Sequence, residues 1–297
     1  MKTILCATDY SKNSEAALKY AHSLSLEIGT TLKVVHVFDY PTLLDNLSLK
    51  AEDAFPDIEG DAYKKHHSKL KKFCTRILKA DLDDLNIDIE AIENKSVVHG
   101  IISSVKEAHV FLLVTGMKGG SALRELLMGN TTRHLIDTSP CPVLAIPEDA
   151  SYNQIKTIVY ATDFEDEDIE AIKKLVKIAK PLNAEIKALH IHTQNEDAFK
   201  IKEKGFKKML EEQVEYNKLS VEVLLSVATF DSLKIYLGDI DADLVAMLER
   251  KEKGIKKKWF HRDFVKRMEI YGRVPLLSFN ELILEKFNNM YYEQKNI

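Results

Sequence analysis

Short apolar runs alternate with amphipathic stretches along most of the chain. Residues 3–7 are apolar and end in Thr8 and Asp9, which predicts a buried strand. Ala17, Leu18, Ala21, Leu24 and Ile28 then recur at helical spacing, and Gly29 follows as a C-terminal stop. Residues 32–38 predict a second strand. Strand, helix and strand with short joints predict a right-handed parallel unit. Residues 40–60 are less regular and contain Pro41, Pro56 and Gly60. Beyond them the pattern predicts a long helix over 61–85, a strand over 87–92, a helix that includes 101–107, and a fourth strand over 110–115. The fourth run, VFLLVT, has no polar face and so belongs in the middle of a sheet. A helix over 131–137 is broken by Pro140 and Pro142, and residues 143–146 predict a fifth strand.

After a linker at 147–153 the alternation starts again. Strands are predicted at 157–161, 186–191, 220–226, 244–248 and 275–279. The helices between them fall at 169–179, 197–216, 232–237 and 264–271. The text itself recurs: KTILCATDY at residues 2–10 returns as KTIVYATDF at 156–164. The same offset of 154 pairs Val35, His36 and Val37 with Leu189, His190 and Ile191. Two matches in order at one offset predict a duplicated domain. The expected division is a first domain over 1–148, a second over 154–280 and a C-terminal tail over 281–297. Leu282, Leu284 and Phe287 would suit the tail to a docking helix, and a frayed end fits equally.

Composition changes the picture little. The length of 297 residues suits two domains, and 45% hydrophobic residues suffice for two cores without disulfides. A formal net charge of -4 gives no global attraction to nucleic acid or acidic membranes. Cys6, Cys74 and Cys141 are widely spaced, and Cys6 and Cys141 sit in apolar runs. Buried reduced thiols are expected, which suits a cytoplasmic location. Neither a secretion signal nor a membrane span is expected.

Candidate chemistry gathers after the fourth strand. Gly116, Gly119 and Gly129 are spaced G-x2-G-x9-G, and Asn130, Thr131 and Thr132 open the next helix. Glycines let main-chain amides approach an anion, and the amides of a first helical turn favour phosphate. The spacing is equally that of turn and cap residues. It is neither a Walker A loop nor the GxGxxG fingerprint of a first strand. Asp9, at the end of the first strand, would face the same crevice. It could accept hydrogen bonds from a ribose or an adenine amino group, or cap the following helix.

These residues together resemble the universal stress protein family. The likeness rests on Ala7-Thr8-Asp9, on His36-Val37, on the glycine loop, and on Ser139-Pro140-Cys141-Pro142-Val143-Leu144. In the second half it rests on the first two strands and Val274-Pro275-Leu276-Leu277. The resemblance implies an α/β fold of two Rossmann-like, HUP-type domains. Each would be a five-stranded parallel sheet in order 3-2-1-4-5 with helices on both faces. The halves would pair through their fifth strands as a dimer within one chain, and a further homodimer is conceivable. The resemblance also implies a cytoplasmic stress-response role with ATP as ligand, with or without Mg²⁺. Ala7, Thr8 and Asp9 would face the nucleoside, and the Val37 main chain would meet the adenine. Gly116, Met117, Gly119, Gly129, Asn130, Thr131 and Thr132 would cradle ribose and phosphates. Asn130 departs from the family's Ser or Thr at that place, which removes a hydroxyl donor and implies weaker binding.

The second half departs further. Met247 and Arg250 are expected about where Gly116 and Gly119 stand, with His261 near the third glycine's place, so no ordinary ATP site is expected there. Residues 250–267 carry nine Lys or Arg against Glu252 and Asp263, with Trp259, Phe260 and Phe264 interleaved. This is either a solvated loop with packed aromatics or an anion-binding segment. The alternative function is therefore a nucleotide-independent interaction module that uses this loop or the tail. No metal site is expected, since His66 and His67 lack a partner of ligand type at helical spacing. No nucleophile and base can be assembled, so any ATP hydrolysis would be slow and no catalytic residues are assigned.

Overall fold

A computed structural model describes residues 2–39, 58–117, 129–192, 197–250 and 274–281. The first half runs β1 (Thr3–Ala7), α1 (Lys12–Ile28), β2 (Thr31–Phe38), α2 (Ile58–Leu78), β3 (Ile87–Glu93), α3 (Val97–Glu107), β4 (Leu112–Met117), α4 (Asn130–Thr138) and β5 (Val143–Pro147). The second runs β6 (Thr157–Ala161), α5 (Asp166–Leu182), β7 (Glu185–His192), α6 (Asp197–Gln213), β8 (Leu219–Leu225), α7 (Thr229–Asp239), β9 (Leu244–Glu249) and β10 (Leu276–Asn280). The helix expected at 264–271 and the tail beyond Glu281 lie outside the described residues.

All ten strands form one sheet in the order β3-β2-β1-β4-β5-β10-β9-β6-β7-β8. Each half is parallel with strand order 3-2-1-4-5. The halves meet where β10 runs antiparallel to β5, with Ala145 opposite Leu276 and Val143 opposite Ser278. β5 and β10 are buried along their whole length, because helices cover both faces and a neighbouring strand lies on each side. One apolar layer joins α1, α2, α5 and α6 to the sheet, and the opposite layer joins α3, α4 and α7. Both layers cross the seam, so the two cores are continuous.

Local chemistry sets the ends of the elements. Ser11 caps α1 by accepting from the Ser14 amide, and Gly29 closes the helix in the left-handed region at φ 72°. The helix expected to reach residue 85 stops at Leu78. Lys79 turns left-handed at φ 56°, and Asp81 caps a short 3-10 turn over Leu82–Asp84. β4 starts later than the apolar run suggests. His109 is left-handed and the Val110 amide closes onto Val105 O, so the strand begins at Leu112 and carries Gly116 and Met117 inside it. All three cysteines are free and buried, and burial pushes the Cys141 thiol up to about 11.

Two equivalent crevices with different contents

The carboxyl ends of β1 and β4 lie side by side, with Ile4 opposite Leu112 and Cys6 opposite Val114. Ala7 and Thr8 are buried, and the Thr8 hydroxyl donates to Ser14 Oγ at 2.9 Å. These two side chains belong to the fold. Asp9 is exposed and accepts from the Ser11 amide at 3.0 Å, so it sets the turn before the helix while Ser11 does the capping. Partial loss of water raises the Asp9 carboxyl, but hydrogen bonds from Ser11 and Ser14 outweigh this and hold it below its ordinary value.

β2 extends past the last pairing with β1, Ala7 with Val35, and continues to Phe38. His36 Nδ1 lies 2.8 Å from Thr8 O. A carbonyl only accepts, so this nitrogen carries the proton. Val37 lies beyond the end of β1 and keeps its ladder with β3 opposite Ile92.

Gly116 is a strand residue opposite Ile146, not a loop residue with special backbone angles. It is glycine for a different reason: a Cβ there would lie 2.5 Å from the Asn13 carbonyl carbon in the first turn of α1. Met117 is also in the strand, with its side chain buried. Gly129, rather than Asn130, is the N-cap of α4, with φ -52° and no side chain to satisfy the first-turn amides. Asn130 is exposed and is the first helical residue. The Thr132 hydroxyl donates to Gly116 O at 3.1 Å, tying the start of α4 to the end of β4. Thr131 is partly exposed. Gly119 and the rest of the loop, residues 118–128, lie outside the described residues.

The second crevice has the same frame and different contents. Adding 154 to the first-half numbers aligns Thr8 with Thr162, Ser14 with Asp168 and Cys6 with Tyr160. β9 pairs with β6 as β4 pairs with β1, so Leu248 stands at the place of Gly116 and Met247 at that of Thr115. This is one position away from the sequence expectation for Met247. The carboxylate of Asp168 accepts from Tyr160 OH at 2.9 Å, Thr162 Oγ1 at 2.8 Å, and the amides of Asp163 and Glu165 at 3.2 Å. Arg250 adds its Nη2 at 2.9 Å and approaches Asp163 with Nη1 at 3.5 Å. Burial works against the Arg250 charge, but Asp168 and Asp163 outweigh it and raise its already high value. The guanidinium therefore fills the second crevice from within. Sequence reading missed this pairing, because nothing at residue 168 points to residue 250. The rest of the basic segment, 251–267, lies outside the described residues. Among the described residues no group of His, Cys, Asp or Glu could hold a metal ion, and no helix is long and apolar enough to cross a membrane.

Residues 1–147 match the model of the universal stress protein family. The first half of the chain belongs to the universal stress protein family. A universal stress protein of Bacillus subtilis is 29% identical over 147 residues, spanning 48% of this chain and 97% of that protein. One of Methanocaldococcus jannaschii is 25% identical over 158 residues, 49% of this chain and 94% of that protein. For the whole chain, the solved universal stress protein of Archaeoglobus fulgidus aligns with a TM-score of 0.66 and 16% identity, covering 94% of this chain and 98% of that one. A Pseudomonas aeruginosa protein assigned to the same family aligns with a TM-score of 0.57 and 12% identity, covering 96% of each chain. At these identities the solved structures establish the fold alone: two Rossmann-like α/β units in tandem.

Proposed function

We propose that the first half binds an adenine nucleotide, ATP foremost, at the ends of β1 and β4, and that the protein is a cytoplasmic stress-response component regulated by that ligand rather than a catalyst. The carrying observation is the unequal treatment of two equivalent crevices. The second is closed by its own guanidinium, set among carboxylates that would repel phosphate. The first offers Asp9 exposed at its rim and a helix whose N-cap is a bare glycine. Those first-turn amides, with the positive end of the α4 dipole, suit a phosphate. Val37, past the end of β1, offers main chain to an adenine edge. The residues that would hold the ligand are Ala7, Thr8, Asp9, Val37, Gly116, Met117, Gly119, Gly129, Asn130, Thr131 and Thr132. Ala7, Thr8, Met117 and Thr132 would act through main chain, since their side chains are buried or engaged. Mg²⁺, where present, would come with the nucleotide.

The test is thermal unfolding with and without ATP and Mg²⁺. Ligand at about 100 times its dissociation constant adds about 2.7 kcal/mol. A shift in the parent protein that is lost in Gly119→Val supports the reading. No shift in the parent removes it, and favours the interaction module that acts through the basic segment or tail.

A further inference from the structure

We infer that the second half holds the phosphate-facing helix of the first half in place, through Asn280 clasping the far end of α4. This rests on the nucleotide reading above and adds a positioning residue to it. Asn280 is the last residue of β10, on the other side of the seam, and is 4% exposed. Its Nδ2 donates to Ile136 O at 2.6 Å and to Ser139 O at 2.9 Å. Both neighbours are carbonyls and can only accept, so the amide must present its nitrogen. The last carbonyls of a helix have no partner within it, and here the other half supplies the donors. Ser139, the C-cap of α4, is itself fully buried, so water is a poor substitute.

The helix held in this way is nine residues long, Asn130–Thr138. It is fixed at its start by Thr132 on Gly116 and at its end by Asn280. A pair of donors at the carboxyl end also complements the negative pole of a helix whose positive pole faces the crevice. Among the described residues the clasp has no counterpart in the other direction. Met117 pairs with Pro147 as Glu249 pairs with Asn280, so Pro147 occupies the equivalent place and has no side-chain donor. The half whose crevice holds Arg250 supports the other half. Asn280 also lies beside Glu249, the residue before Arg250, so both features grow from adjoining strand ends.

The test compares Asn280→Leu with the parent by calorimetric titration of ATP, AMP and adenosine, together with hydrogen exchange of the α4 amides in the ligand-free protein. Exposing α4 carbonyls to an apolar neighbour should speed exchange at Arg133 to Ser139. Affinity for ATP and AMP should fall about three- to tenfold, while adenosine is unchanged because it carries no phosphate. Should Asn280→Leu fail to fold, Asn280→Asp keeps the shape and reverses the polarity, and the same split is expected with a larger loss for ATP. Equal losses for nucleoside and nucleotide, or no loss at all, overturn the inference while leaving the nucleotide reading intact. A parent protein that binds none of the three overturns that reading, and this inference with it.

Discussion

Arg250 and Asp168, 82 residues apart in the chain, meet at 2.9 Å inside the second crevice. The Asp168 side chain is 3% exposed and that of Arg250 16%. Removing one member of such a pair leaves a poorly solvated charge. Arg250→Met should cost about 3 kcal/mol of stability, read by urea unfolding. Asp168→Ser, which restores the residue found at Ser14, should recover most of that loss when combined with Arg250→Met. A double variant as unstable as the single one would show that the pair is not the reason for the loss.

The glycines of the first crevice should respond differently to alanine. At Gly116 a methyl group would press on the Asn13 backbone, which cannot rotate away. Gly116→Ala should destabilise by about 1–3 kcal/mol with no ligand present. At Gly129 a methyl group meets nothing within 4 Å among the described residues, and the backbone angles suit any residue. Gly129→Ala should cost under about 1 kcal/mol. Thermal melts of the two ligand-free variants check this ordering.

Thr132 links the same elements by a hydroxyl. Thr132→Val keeps its shape and leaves the buried side of Gly116 O without that donor. A loss of about 1–2 kcal/mol is expected, measured by chemical denaturation. An unchanged midpoint would mean that the start of α4 is held by packing alone.

Acid should weaken the fold through its histidines. His36 and His190 are matched residues whose Nδ1 atoms lie 2.8 Å and 2.6 Å from Thr8 O and Thr162 O. Desolvation lowers both below their ordinary value, against the raising effect of those carbonyls and of Asp9 and Asp163. Lys69 lowers His36 further, and Lys202 and His192 do so for His190. His22 and His66 are also lowered, desolvation first. The folded values lie below the unfolded one, so between them the unfolded chain binds more protons. The stabilisation is complete above about pH 6.5 and is lost as pH falls through the folded values. Urea midpoints should therefore drop between about pH 7.5 and about pH 5.5. The double variant of His36→Gln and His190→Gln should flatten that drop. An equal drop in the double variant would move the cause elsewhere.

A compensating exchange lies beside these histidines. Phe38 on β2 stacks on His66 of α2 at 4.1 Å, and His192 on β7 stacks on Phe199 of α6, also at 4.1 Å. The same ring pair is kept with its members swapped between strand and helix.

What the sequence by itself determined was local. The apolar runs placed β1 and β6 to the residue, and Gly29 marked the end of α1, because strand and helix periods and left-handed stops are written within a few neighbours. The repeat of residues 2–10 at 156–164 carried the doubled architecture. Tertiary structure decided the rest. The apolar run could not show that β4 extends through Gly116, since that rests on pairing with Ile146 and Pro147 of β5, nor that Asn13 on α1 requires a glycine there. Nor could it show that Leu248 takes the glycine's place, which depends on strand register. Arg250 finds Asp168 and Asn280 finds Ile136 across 82 and 144 residues of chain. Such contacts carry no periodic signal, because they form only once the sheet has brought remote strand ends and helix termini together.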